Sequence, residues 1–179
     1  MSKSSSDTAV LKAPKKAKQT EMTDTTSVLA EVNAFYLGYY DALDEMRLEE
    51  WPEFFTEETL YRVVSRENYV QGLRLSTIYA ESRGMLEDRV VGLRKTQVYA
   101  PRYYRRFSSP VLIRSSDADG IKAEHNLLIA QTMQDKQSDI VLTARCYDVL
   151  VKDGEALKLK SREVVYDSEM IPNSLIYPA

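Results

Sequence analysis

The sequence predicts an α+β fold in which helical segments come first and a sheet of long strands follows. Two observations carry this. Helical periodicities lie before Pro101, whereas from Tyr103 to Asp167 β-rich runs are separated by turn clusters at Ser115–Gly120, Asp135–Asp139 and Asp153–Gly154, the mark of successive hairpins. Helices and long strands kept apart along the chain argue for α+β rather than alternating α/β. Without βαβ units, the usual nucleotide-binding crevice has no scaffold.

At 179 residues the chain is long enough for one domain with a substantial core. Residues 1–26 differ from the remainder: they are rich in Ser, Thr and Lys, with a basic patch at Lys12, Lys15, Lys16 and Lys18. So few apolar groups do not offset the entropy of ordering, and this stretch is expected to be a disordered tail. A solvated charge block is the favoured reading of the patch, and a docking site for an acidic partner is the other. Residues 27–179 form the expected single domain.

Each element has its own signal. Val28, Leu29, Val32, Phe35, Tyr36, Tyr39, Tyr40 and Leu43 recur at three- and four-residue steps, so a helix is expected there, capped by Thr26 or Ser27 and laid across the sheet. Its aromatic stripe suits core packing, with a ligand pocket as the alternative. Pro52 fits the first turn of a short second helix, which would bury Trp51, Phe54 and Phe55. Leu60–Ser65 and Leu73–Ala80 read as strands, with Asn68 in the loop between them. Ser82–Thr96 is again helical, with Met85, Leu86, Val90 and Leu93 on one side.

The chemical inventory is small. One His and one Cys, His125 and Cys146, are the whole supply of those ligands, too few for the clustered sites that hold redox metals. A net charge of −3 gives no positive field for nucleic acid. A single Cys makes no internal disulfide, and no run resembles a signal peptide or a membrane span, so a soluble cytoplasmic protein is expected. No phosphate-binding loop, nucleophile elbow or zinc signature occurs.

Counting by twos places His125 on the face of Ile121, Ala123, Leu127 and Ile129, turned toward the buried side of the sheet. Its ordinary pKa suits a general base, with Asp41 and Asp44 of the first helix as possible partners, although those carboxylates read more simply as solvated. Cys146 alternates with Leu142, Ala144 and Asp148 and reads as a small apolar residue, with Arg145 on the opposite face. Arg102, Tyr103, Arg105 and Arg106, next to Tyr104 and Phe107, form the densest basic–aromatic cluster. Such a cluster can stack on bases, but in an acidic chain it is better assigned to a protein interface.

Three groups of residues resemble one known family. They are Trp51-Pro52-x-Phe54-Phe55 with Tyr61-Arg62-Val63 after it, then Met85-Leu86-x-Asp88-Arg89-Val90-x-x-Leu93-Arg94, then Tyr99-x-Pro101-Arg102. In order and spacing, over nearly everything after Ser27, the chain resembles the small (β) subunit of Rieske-type aromatic-ring-hydroxylating oxygenases, in the subgroup acting on aromatic acids such as salicylate, benzoate or terephthalate. It departs from the family where a Ser often precedes the Arg of the last segment and a His follows, since Arg105-Arg106 stand there instead. The resemblance implies a cone-shaped, cystatin-like or nuclear transport factor 2-like fold, with a curved mixed sheet and helices on one face.

It further implies a structural role beside a large α subunit, commonly as three α and three β chains. The α subunit would carry a Rieske 2Fe-2S cluster and a mononuclear Fe(II) and would be the one that ferredoxin and reductase serve. This chain would bind no cofactor or metal and have no catalytic residue of its own. The rival is a free-standing cone-fold enzyme, a dehydratase or isomerase, with His125 as base and a Tyr or Asp partner. A ligand-binding module built on the aromatic first helix is a third reading.

Overall fold

The computed structural model describes residues 16–95, 100–168 and 177–179, with side chains from residue 26 onward. Its elements are α1 (Lys16–Asp44), a 3-10 turn (Trp51–Phe54), β1 (Phe55–Ser65), α2 (Arg66–Val70), β2 (Ile78–Ser82), α3 (Arg83–Lys95), β3 (Arg102–Ser108), β4 (Leu112–Asp117), β5 (Gly120–Met133), β6 (Ser138–Asp153) and β7 (Ala156–Tyr166). All seven strands share one sheet in the order β2-β1-β7-β6-β5-β3, with β4 continuing the β3 edge along β5. The β1–β7 pair is parallel and the others are antiparallel, so the sheet is mixed, as expected.

The long strands are joined as the turn clusters predicted. Gly120, at φ +127°, closes the β4–β5 turn, where an added Cβ would meet the Leu150 carbonyl oxygen at 2.6 Å. Gly154 closes the β6–β7 turn at φ +64°. Gly120 needs a residue without a Cβ, and Gly154 takes the left-handed conformation that favours glycine. Asp135 takes the left-handed conformation between β5 and β6, which Asp tolerates better than most residues.

The core lies between the sheet and α1, the 3-10 turn and α3. Val32, Tyr36, Tyr39, Tyr40 and Leu43 of α1 are buried with Leu86, Val90 and Leu93 of α3, while Val28, Leu29 and Phe35 pack at the margin. Trp51, with Pro52 in the first turn as expected, joins Phe55 and Tyr61 edge to face. Such ring pairs add about 1 kcal/mol each beyond their burial. On the inner face of β5 and β6, Ile121, Ala123, Leu127, Leu142 and Ala144 complete the core.

Three expectations are corrected. Helix α1 begins at Lys16 rather than at Thr26 or Ser27, so residues 16–26 continue the helix, and the rest of the expected disordered tail lies outside the described residues. Residues 66–70 form a helix, capped where the Asn68 amide donates to Ser65 Oγ at 3.2 Å. At five residues it is too short to show periodicity, and Tyr69 stacks on Tyr147 on the face of the sheet away from α1, so helices flank both faces. The strand predicted from Leu73 begins only at Ile78. The short second helix is present as the 3-10 turn, and Phe55 lies just beyond it as the first residue of β1. Thr96 and Tyr99 lie outside the described residues.

Candidate functional site

Three strands converge beneath α1. One helical turn separates Tyr36 from Tyr40, so both rings face the sheet. Opposite them, β5 and β6 bring His125 beside Cys146, and β6 and β7 bring Asp148 beside Arg162. These side chains form a connected polar cluster in the middle of the core. Arg162 Nη1 donates to Asp148 Oδ2 at 2.8 Å and Nη2 to the Tyr40 hydroxyl at 2.7 Å. The Tyr36 hydroxyl donates to Asp148 Oδ2 at 2.7 Å, and Tyr40 lies 2.5 Å from His125 Nε2.

Either Tyr40 or His125 Nε2 can donate in the bond between them, because the Tyr40 oxygen keeps a second lone pair beside the one that Arg162 occupies; the other ring nitrogen is Nδ1. That Nδ1 has no hydrogen-bond partner and stands 3.9 Å from Asp148 Oδ2, beyond hydrogen-bond reach. Burial, and then the Arg162 charge, push the His125 pKa down to about 3. The ring is neutral at physiological pH, so its closeness to Asp148 is not an ion pair.

Burial also shapes the other groups. It raises the Asp148 carboxyl above the ordinary range, with Arg162 and Tyr36 pulling against it. Desolvation pulls the Arg162 pKa down, but Asp148 together with Tyr40, Cys146 and Tyr39 outweighs it and leaves the group well above its usual value, so Arg162 is a permanent cation and keeps the carboxylate as its counter-ion. Its guanidinium also sits 4.7 Å from the centre of the Tyr39 ring and 5.5 Å from that of Tyr40, favourable cation–π geometry. Burial pushes the Cys146 thiol up to about 12, so it is inert as a nucleophile, as its strand position suggested.

The arrangement is poorly suited to base catalysis. His125 and Asp148 are buried and Arg162 has no exposed surface. Nε2 is already engaged by Tyr40, and a pKa near 3 makes the ring a weak base. Clefts of about 490, 510 and 580 Å³ open elsewhere, and neither His125, Asp148 nor Arg162 lines any of them.

The carboxylates considered for His125 are engaged elsewhere. Asp41 pairs with Arg47 at 2.7 Å and Asp44 with Arg106 at 2.6 Å. The carboxylate near His125 is Asp148. Its signal was present in the sequence, since it shares the inward alternation of Cys146.

The basic–aromatic cluster occupies β3, at the edge of the sheet, and alternation divides it. Tyr103, Arg105 and Phe107 point outward, and Tyr103 is 73% exposed. Tyr104 and Arg106 turn inward. Arg106 therefore departs from the expected interface role: with 1% of its side chain exposed it is paired to Asp44 and donates to the Pro178 carbonyl at 2.6 Å. Arg102 is partly buried, with Nη1 donating to Gln131 at 3.3 Å, and Arg105 reaches Glu45 at 3.5 Å on the surface.

Comparison with known proteins places this architecture. Residues 40–173 match the family model described as the ring hydroxylating beta subunit. The anthranilate 1,2-dioxygenase small subunit of Burkholderia cepacia is 31% identical over 157 residues, covering 88% of this chain and 98% of that protein. A terephthalate 1,2-dioxygenase terminal oxygenase β subunit of a Comamonas species is 28% identical over 83% of this chain and 96% of its own length. Among solved structures, the β subunit of an aromatic-ring-hydroxylating dioxygenase from Novosphingobium aromaticivorans superposes with a TM-score of 0.78 at 32% identity, over 86% of this chain and 97% of that one. The cone-shaped α+β fold with its closed polar interior is thus that of a β subunit, and the chain belongs to the ring-hydroxylating β-subunit family.

Proposed function

We propose that this chain is the structural β subunit of a multicomponent oxygenase that hydroxylates an aromatic acid, and that it holds large α subunits in place without entering the chemistry. The observation that carries this is the sealed interior. The one histidine able to act as a base is neutral, capped by Tyr40 and buried with its neighbours. The aromatic-acid class rests on relatives named for anthranilate and terephthalate.

On this reading the α subunits carry a Rieske 2Fe-2S cluster and a mononuclear iron, receive electrons from a ferredoxin and reductase, and assemble in the cytoplasm as three α with three β. This chain's own residues do not fit either iron group. Its single Cys and single His are consumed in the buried cluster, and among the described residues no three His, Cys, Asp or Glu side chains gather to hold a metal.

The β3 edge is the proposed contact with the partner. Tyr103, Arg105 and Phe107 lie outward there with Arg102 beside them, and rows Arg105–Ala130–Ile140 and Phe107–Leu128–Thr143 run across three strands. An edge strand carrying exposed aromatic and aliphatic groups is a surface that proteins ordinarily cover. Co-expression with a large subunit from the same source, followed by native mass and iron analysis, tests the assignment. A stable hetero-oligomer with iron only on the larger chain is expected. A self-contained assembly of this chain, with no larger partner retained, refutes it.

A further inference from the structure

The segment Tyr177–Ala179 does not lie on the surface. Ala179 has no exposed area, and the main chain of Pro178 and Ala179 is gripped by side chains from three separate elements. The Ala179 carbonyl oxygen accepts from the Tyr39 hydroxyl at 3.0 Å and from the Tyr61 hydroxyl at 3.3 Å, and its N–H donates to Tyr61 at 2.8 Å. The Pro178 carbonyl accepts from Arg106 Nη2 at 2.6 Å. The ring of Tyr177 meets Tyr104 edge to face at 5.3 Å.

We propose that Tyr39, Tyr61 and Arg106 form a built receptor for peptide main chain, filled in cis by Tyr177–Ala179, and that this occupancy closes the cone beside the buried cluster. The donors are aimed by groups that do not touch the segment. Trp51 Nε1 donates to the Tyr39 oxygen at 2.9 Å, so the Tyr39 proton is directed to Ala179. Asp44 holds the other arm of the Arg106 fork at 2.6 Å. Preset donors of this kind lose little freedom when a ligand arrives.

The ligand class follows from the same contacts. Two successive carbonyl oxygens are read by two phenols and a guanidinium. The first belongs to proline, whose nitrogen has no proton to satisfy when buried. The second belongs to a residue whose methyl is wholly enclosed, so the receptor selects a small side chain at that place. An aromatic ring precedes them to meet Tyr104. The site therefore fits an aromatic-Pro-small peptide. The Tyr39 ring is shared: its hydroxyl holds Ala179 and its face lies 4.7 Å from the Arg162 guanidinium, so the segment seals one side of the polar cluster.

Hydrogen exchange on the intact chain tests the cis contact. The Ala179 amide is expected to exchange about a hundredfold or more slowly than in a blocked Tyr-Pro-Ala peptide, and Tyr39→Phe to speed it on the order of fivefold through the loss of one donor. Exchange at the peptide's rate in the unaltered chain overturns the proposal, and so does indifference to Tyr39→Phe. The trans arm uses full-length Ala179→Arg, whose side chain the enclosed site does not admit. A fluorescently labelled Leu-Ile-Tyr-Pro-Ala peptide is expected to bind this variant saturably at one per chain and not to bind the unaltered protein. A folded Ala179→Arg chain that leaves residue 179 protected, or that exposes it and takes no peptide, overturns the receptor. If that variant does not fold, the exchange experiment on the unaltered and Tyr39→Phe chains decides.

Discussion

The inner and outer faces of the sheet use the same residue types to opposite ends. Inside, Tyr36, Tyr40, Asp148 and Arg162 form an ion pair wrapped in phenols with no exposure on either charged side chain. Outside, Tyr103, Arg105 and Phe107 on β3 stand in solvent, and Glu124 bridges Arg114 and Arg145. Arg114, followed by Arg145, holds the Glu124 carboxyl down at about 2, whereas burial raises Asp148. A carboxylate paired with arginine is thus a modest surface contact in one place and a structural commitment in the other. Removal of one partner should cost stability inside and association outside.

The largest effect is expected at the inner pair. Asp148→Asn keeps the shape but leaves Arg162 as an uncompensated buried cation, which costs about 3–5 kcal/mol. Urea unfolding of the purified chain measures it. The double change Asp148→Leu with Arg162→Met removes both charges and should recover most of that loss, leaving about 1–3 kcal/mol for the Tyr36 hydroxyl deprived of its acceptor. A double variant no more stable than Asp148→Asn would mean that hydrogen bonds rather than charge hold the interior together.

The pH dependence sharpens the same contrast. His125 titrates near 6.5 when unfolded and near 3 when folded, so below about pH 6.5 the unfolded chain binds a proton that the folded chain refuses. Stability is then complete above the unfolded value and is lost as pH falls toward the folded one, by about 1.4 kcal/mol per pH unit. Asp148, with its carboxyl raised by burial, works in the opposite sense over its own range. The comparison is therefore between the parent chain and His125→Gln, in which Asp148, Arg162, Tyr36, Tyr40 and Cys146 are retained. Unfolding free energies between pH 7 and 5 should fall more steeply for the parent. Parallel curves would show that His125 takes up its proton in the folded state, and hence that its site opens.

Much of this contrast was legible in the sequence, and the remainder has specific causes. Alternation along β5 and β6 placed His125 and Cys146 inward, and both are buried. Alternation also divided the cluster on β3, but reading that cluster as one basic–aromatic block hid the fact that Arg106 faces Asp44. Arg162 was hidden for a different reason. Leu157 and Leu159 set an inward phase that would turn position 162 outward, but the register between β6 and β7 shifts near Leu150, and one extra residue in a strand reverses every side chain after it. The Arg162–Asp148 pair is thus a product of a bulge and a strand register, neither of which has a signature in a single sequence. The family could still be recognised because its packing residues keep their order and spacing along the chain.

The smallest effect on the isolated chain is expected at the outer edge, where the effect on assembly should be greatest. Tyr103→Ser combined with Phe107→Ser replaces two exposed rings on a strand whose inward neighbours are untouched, so unfolding free energy should move by no more than about 0.5 kcal/mol. If this edge meets the α subunit, exposed aromatic anchors of that kind are worth about 2 kcal/mol or more, or about thirtyfold in affinity. Titration of the variant against purified α subunit reads the association, and denaturant melts of the same sample read the fold. Loss of association with an unchanged melt places the partner on the β3 edge. Full association with an unchanged melt moves the contact to another face, and the exposed rows across β3, β5 and β6 then need a different occupant. Arg106→Ala provides the internal control: one position from Arg105 along the strand, it should behave like an interior residue and lower stability, because Asp44 and the Pro178 carbonyl lose their donor.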